Sequence, residues 1–371
     1  MRLASLNLEN LFDRAKALNL ATWPDGKPVL DRYARLNRLF NKAAYSAADK
    51  EKIRDGLDEL GVLKKDDGGE FAILRQNKGK LLKRPPNKPV EVVAGGRGDW
   101  VGWLELKTEP IDEIATRNTA QVIRDLAADV LGVIEVEHRV AVRRFSEQLL
   151  PAVGAAPYEH IMVIDGNDER GIDVGIMTRG GFRIDSMVSH IDDEDGGDRI
   201  FSRDCPEYQI LLPSGQRLLV LVNHFKSKGF GTQASSDARR EAQAKRVREI
   251  YALRRAAGET FIAVIGDLND TPDSTPLAPL LGQGSDLKDV AQHPQYQDDG
   301  RPGTFGNGTQ SQKIDYILLS PALFQATQAA GVFRTGVWGG THGTLWPVYP
   351  EMTQAVHAAS DHAAIWVDLA L

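Results

Sequence analysis

Seven short apolar runs, each five to seven residues long, constrain this chain more than any other feature: residues 3–8, 130–136, 173–177, 218–222, 261–265, 314–319 and 363–369. Runs that are apolar at successive positions suit strands buried on both faces. Amphipathic segments lie between them. Ile111, Ile114, Ala115, Val122, Ile123, Leu126 and Ala127 recur at helical spacing just before the second run. A further helix is predicted over 237–257, with Asp237 as its N-cap and Gly258 as its stop. Strands inside and helices outside make an α/β protein. No internal repeat or low-complexity tract interrupts the pattern, and 371 residues are enough to bury a sizeable core.

Residues 13–110 break the rhythm. They predict a helix over 31–44, a second opening at Ser46 with Ile53, Leu57 and Leu60 on one face, and then a Gly/Pro/Lys-rich stretch. Within that stretch, residues 75–97 carry seven basic side chains against one acid. It reads either as a solvated surface excursion or as a segment that meets a polyanion. Trp100 and Trp103 close it; they could stack on bases, but a pair of tryptophans near a strand more often anchors a loop to the core.

Composition excludes several classes. A lone Cys205 rules out an intrachain disulfide or a cysteine metal cluster, and a reducing, cytoplasmic setting is expected. No apolar run is long enough to span a bilayer, so no membrane association is expected. Net charge is −6, so a polyanionic substrate needs local basic patches or bound cations. No Walker loop, zinc-protease helix or nucleophile-elbow serine is present.

Chemistry collects where the apolar runs end. Asn7 and Glu9 follow the first, Glu135 ends the second, Asn223 and His224 the fourth, and Asp267, Asn269 and Asp270 the fifth. Asp315 opens the sixth, and Asp361-His362 precedes the last. One polar residue at a strand end usually only caps a turn. A whole series of carboxylates, amides and histidines there indicates a site.

The blocks NLENLF (7–12), GVIEVE (132–137), NHFKSK (223–228), GDLND (266–270), KIDYILLS (313–320) and SDHAAIWVDL (360–369) resemble, in order, the signatures of the endonuclease/exonuclease/phosphatase family. The resemblance spans the chain from first strand to last but not the 13–110 segment. It implies one catalytic domain over 1–371 with 13–110 inserted, built as a four-layered α/β/β/α sandwich of two mixed sheets flanked by helices. It further implies a Mg²⁺ or Mn²⁺ site formed by Asn7, Glu9, Glu135 and Asp361, with Glu9 standing where relatives have aspartate. Asp267 then resembles the residue that activates water, Asn269 the amide that holds it, and Asp315 and His362 the Asp-His pair beside the phosphate. His224 matches a position of phosphate contact or leaving-group protonation; Arg170, Asn223 and Lys226 are candidates for phosphate contact. His138, His160, His190, His293 and His357 match no motif and read as surface or loop residues.

The resemblance leaves the phosphoester open. Residues 75–97 and the basic helix after NHFKSK, where Arg239, Arg240, Lys245, Arg246, Arg248, Arg254 and Arg255 outnumber Glu241 and Glu249, favour a DNA-cleaving nuclease. A small-molecule phosphoesterase is the alternative, with Trp338, His342 and Trp346 lining a pocket; a non-catalytic scaffold would need a damaged site. A monomer is expected, and the sequence points to no particular protein partner.

Overall fold

The computed structural model describes residues 1–371 apart from 10–12, 19, 21, 22, 111, 169, 230, 231 and 298, so the end of NLENLF and Ile111 lie outside the described residues. The chain divides into two compact units, Met1–Phe12 with Ile111–Leu371, and Asp13–Pro110.

In the larger unit the strands are β1 (Arg2–Asn7), β2 (Val130–Val136), β3 (His160–Ile164), β4 (Asp173–Thr178), β5 (Arg183–Val188), β6 (Glu207–Leu211), β7 (Arg217–His224), β8 (Ile262–Asp267), β9 (Lys288–Asp289), β10 (Tyr296–Gln297), β11 (Asp315–Leu319), β12 (Thr327–Phe333) and β13 (Ala364–Leu369). Among the described residues they form two mixed sheets, ordered β10-β12-β13-β1-β2-β4-β3 and β5-β6-β7-β8-β11-β9. β1 runs parallel to β2, and β7 to β8, while β13 and β11 are antiparallel to β1 and β8.

Every central strand is buried on both faces, which explains the unbroken apolar runs. The inner faces meet through Leu3, Ile134, Val174 and Ile176 of one sheet and Val220, Val222, Ile265 and Ile317 of the other. Burying each such side chain contributes roughly 1.5–3 kcal/mol. Helices α1 (Glu113–Leu126) and α2 (Arg139–Ala152) cover the outer face of the first sheet through Val122, Ile123 and Phe145 against Leu131 and Val133. Helix α3 (Gln233–Ala256) covers the second through Ala244, Val247 and Tyr251 against Leu219, Leu221 and Val264. The result is the four-layered sandwich of the sequence reading.

Some expectations change. Helix α3 starts four residues before Asp237, because Thr232 and Ser235 form a capping box that satisfies the first free N–H groups. His190 and His357 are not loosely exposed: His190 lies between Asp193 and Glu207, 3.0 Å from each, and His357 is buried. His138 caps α2 by accepting from the Ala141 N–H. No helix among the described residues is long and apolar enough to cross a membrane.

The smaller unit holds helices Trp23–Phe40 and Ala47–Glu59 and a two-stranded ribbon, Ala72–Gly79 with Trp100–Leu106. The first helix begins well before residue 31 and ends at Phe40, because it accommodates Pro28, which in sequence reads as a breaker. The second opens at Ser46 with a capping box to Asp49, as its sequence suggests. Trp100 is the anchor: it is buried, stacks edge-on against Phe40 at 5.1 Å, and its indole donates to the Tyr45 hydroxyl at 3.0 Å.

Gly266 closes β8 at φ +130°, and a Cβ there would lie 1.9 Å from the Asn223 carbonyl oxygen on the parallel neighbour β7. Gly266→Ala is expected to destabilise the chain by about 2 kcal/mol or more, through an unsuitable φ and a backbone clash. A urea unfolding midpoint unchanged from wild type would contradict this.

Candidate active site

Strand register assembles the site. On the inner face of the second sheet, Val222, Ile265 and Ile317 stand in a row across β7, β8 and β11, and the next row is His224, Asp267 and Asp315. Period-two alternation puts both rows on the same side, towards the first sheet. From that sheet Asn7 extends the inner face that begins with Leu3, and its amide donates across the interface to Asp267 Oδ2 at 3.3 Å. Glu135 would point outwards by alternation, but a bulge intervenes: Asp173 pairs with Val136 and Val174 with Ile134, leaving Glu135 as the extra residue at φ +59°. Bulges re-aim side chains in this way. Glu135 Oε1 consequently lies 3.6 Å from His224 Nε2.

Asp267 is the hub. Its carboxylate accepts from the Asn269 backbone N–H at 2.8 Å and the Asn269 amide at 3.1 Å, and it lies 3.7 Å from His224 Nε2 and 4.0 Å from His362 Nε2. Asp315 binds His362 Nδ1 at 2.9 Å and accepts from the Thr304 hydroxyl at 2.6 Å. Ser360 ties the last segment to β1, donating to the Asn7 carbonyl at 2.8 Å and accepting from the His362 N–H at 3.0 Å. Glu9 Oε2 accepts from the Asp361 N–H at 3.1 Å. Glu9, Glu135 and Asn269 all have φ near +50° to +60°, an uncommon conformation for such residues and typical of functional sites.

The electrostatics separate the ionisable groups. Burial, reinforced by Asp315, raises the pKa of Asp267, with His362 opposing. Burial works against protonation of His362, but Asp315 and Asp361 outweigh it and raise its pKa well above the ordinary value. Burial, with Arg203 and Arg170 adding to it, lowers that of His224 well below the ordinary value. The first imidazole is therefore a cation at neutral pH and the second is neutral. Burial, with the same two arginines, brings Lys226 down to about 8.

Among the described residues, one group of acidic and histidine side chains brings its ligand atoms close enough to hold a cation, and it is not the set that the resemblance implies. Asp267, Asp315 and His362 place ligand atoms within 4.8 Å of one another. In that set the His362 Nδ1 is committed to Asp315, which leaves Nε2 as its free ring nitrogen. Glu135, Asn7, Glu9 and Asp361 offer hard oxygens, the preferred donors of Mg²⁺ and Mn²⁺. Two buried polar atoms at this end of the sheets, Asn223 Oδ1 and His224 Nδ1, have no hydrogen-bond partner.

The remaining candidates fall differently. Asn223 sits on the opposite face of β7 from His224, its amide on the Leu221 carbonyl at 3.2 Å, so it is not brought into the inward row. Arg170 is held by Asp168 through two bonds of 2.9 and 2.6 Å, and the Lys226 ammonium donates to the Ser227 carbonyl. Trp346 is buried, with its indole on the Val337 carbonyl, while His342 is exposed. Sequence reasoning missed Arg203. It is buried, bonds Asp168 at 3.3 Å, and donates to the Phe225 carbonyl, which also accepts from the Asn269 amide at 3.2 Å. Thr304 and Ser360 were also missed, being ordinary polar residues whose partners are remote in sequence.

The sequence profile described as the Endonuclease/Exonuclease/phosphatase family matches residues 85–333. No curated protein matches the chain in sequence. Among solved structures it is similar to an endonuclease/exonuclease/phosphatase family protein from Bacteroides thetaiotaomicron, at 19% identity and TM-score 0.51 over 68% of this chain and 86% of that one. It is likewise similar to a mannosyl-6-phosphatase from Bacteroides thetaiotaomicron VPI-5482, at 18% identity and TM-score 0.51 over 70% and 92%. At these identities the likeness is one of fold.

A histidine whose pKa is raised on folding stabilises the folded state fully below its unfolded value, near 6.5, and loses that contribution as pH rises through the folded value. Asp315→Asn is expected to lower the pKa of His362, read by NMR titration in chelator, and to flatten the fall in stability on the alkaline side. An unshifted His362 titration would contradict the pairing.

Proposed function

The chain belongs to the endonuclease/exonuclease/phosphatase family of metal-dependent phosphoric ester hydrolases, and from that premise we propose that it is a phosphodiesterase that hydrolyses DNA with Mg²⁺ or Mn²⁺. The observation that carries the reading is the inward row at the sheet ends, where Asp267, fixed by Asn269 and Asn7, faces the Asp315–His362 pair. Glu135 is the principal metal ligand, with Asn7, Glu9 and Asp361 beside it. When bound, the cation supplies positive charge to a phosphate oxygen.

The side chains then divide the work. Asp267, its proton affinity raised, takes the proton of the water whose oxygen bonds to phosphorus. Asn269 holds that water or a phosphate oxygen. His362, kept cationic by Asp315, hydrogen-bonds the phosphate and is able to give a proton to the ester oxygen as it leaves. A neutral His224 suits contact with a phosphate oxygen better than protonation of the leaving group. Arg170 and Lys226 add positive charge nearby.

DNA as the substrate rests on the free lysines of the 75–97 stretch. Lys78, Lys80, Lys83 and Lys88 are exposed and make no ion pair among the described residues. The basic helix contributes less than its sequence suggests. Arg240 is buried against Asp270 and Asp237, Lys245 pairs with Glu241, Arg246 with Asp193 and Glu249, and Arg254 with Glu207. That pairing favours a second reading, a small phosphoester as substrate.

Plasmid and single-stranded DNA, with an aryl phosphodiester in parallel, separate the two. The DNA reading expects cleavage with Mg²⁺ or Mn²⁺, its loss in chelator, and a fall of about 10²- to 10⁴-fold in Asp267→Ala and His362→Ala. Turnover of the aryl ester with DNA intact under every metal would replace DNA by a small substrate.

A further inference from the structure

The ribbon of the smaller unit carries a surface that the catalytic reading does not use. Along the strand Trp100–Leu106, burial alternates: Trp100, Gly102 and Leu104 face inwards, while Val101 and Trp103 face out and are 51% and 45% exposed. Directly opposite on the neighbouring strand, Arg75 pairs with Trp103 and Lys78 with Val101, on either side of a bulge at Asn77. Residues directly opposite in an antiparallel pair share a face. The outer face is therefore a tryptophan and a valine flanked by two basic side chains, with Lys80 exposed just beyond the strand end.

Glu105 accepts from Arg75 at 2.8 and 2.9 Å, and with the Trp103 indole as a further partner its carboxyl is kept below the usual range. Glu105 is thus neutralised by Arg75, and Lys78 and Lys80 are left without an ion-pair partner among the described residues. A large aromatic ring on an exposed strand, with unpaired lysines further along the same ribbon, is the combination that stacks bases and tracks a phosphate backbone. A protein partner seated by Val101 and Trp103 would have to accept the same row of cations, which singles out a polyanion.

We propose that this ribbon face is a docking surface for single-stranded nucleic acid, with Trp103 stacking on a base and Lys78 and Lys80 contacting phosphates. The inference deepens the DNA reading above and rests on it. It assigns the insertion a substrate-holding role that a small substrate would not use.

The test measures binding of a fluorescently labelled (dT)20 strand by anisotropy in chelator, where no cleavage occurs, alongside hydrolysis of an aryl phosphodiester with metal. Trp103→Ala is expected to weaken binding about tenfold or more, and Trp103→Phe to restore most of it. Lys78→Ala is expected to reduce the slope of log K against log salt by about 0.7, the value for one phosphate contact to a single strand. Aryl ester turnover is expected to stay at wild-type level in all three. Wild-type binding of (dT)20 by Trp103→Ala, or no binding by the unmutated protein, overturns the docking surface. So does a shift of Trp103→Ala from dimer to monomer in sedimentation with no change in DNA affinity, which would make the face a self-association surface. If DNA is cut equally well by wild type and Trp103→Ala, the docking surface falls and the nuclease reading stands. If (dT)20 binds through Trp103 yet no DNA is cut, the reverse holds.

Discussion

Face-to-face packing of two sheets governs the rest of this structure. Ile134, Val174, Val222, Ile265 and Ile317 leave water only by stacking on one another, and Gly132, lacking a side chain, leaves room for Ile265, whose Cδ1 would be 2.4 Å from a Cβ there. Once that core forms, the polar row at the strand ends has no freedom in where it goes. Asn7 meets Asp267 across the interface because the rows beneath them are packed, and Asp267 lies between His224 and Asp315 because β8 lies between β7 and β11. The site is a consequence of register rather than of any local motif.

That dependence explains what the sequence discloses. The seven apolar runs announce buried strands, and the residues at their ends announce the site, because both follow from composition over a few positions. Asp267, Asn269, Asp315 and His362 are legible for this reason. Arg203, Thr304 and Ser360 are not, since each acts through hydrogen bonds to residues distant in sequence, Phe225, Asp315 and Asn7, that only the folded chain creates. The bulge that turns Glu135 inwards is equally hidden, because nothing in GVIEVE distinguishes a bulged glutamate from a regular one. The start of α3 is equally hidden, because Asp237 competes in sequence with the Thr232–Ser235 box.

Charge behaves in the same way. Counted along the sequence, α3 looks like a track for polyanions, yet most of its cations fasten it to the body of the larger unit. Arg254 grips Glu207, which also holds His190, and Arg246 grips Asp193. The lysines of 75–97 lack such partners among the described residues, and Lys78 shares a ribbon face with Trp103, whose neighbour Trp100 is committed to the core. Net charge therefore says little about the substrate, and the distribution of unpaired charge says more.

The central claim is that a divalent cation binds hard oxygens led by Glu135, beside an Asp315–His362 pair that is a hydrogen-bonded proton carrier and not a ligand set. Mn²⁺ binding, followed by electron paramagnetic resonance on wild type, Glu135→Gln and His362→Ala, tests it most directly. The account predicts that Glu135→Gln loses most of the affinity and that His362→Ala keeps it. Loss of Mn²⁺ in His362→Ala with full binding in Glu135→Gln would contradict it and move the metal to Asp267, Asp315 and His362.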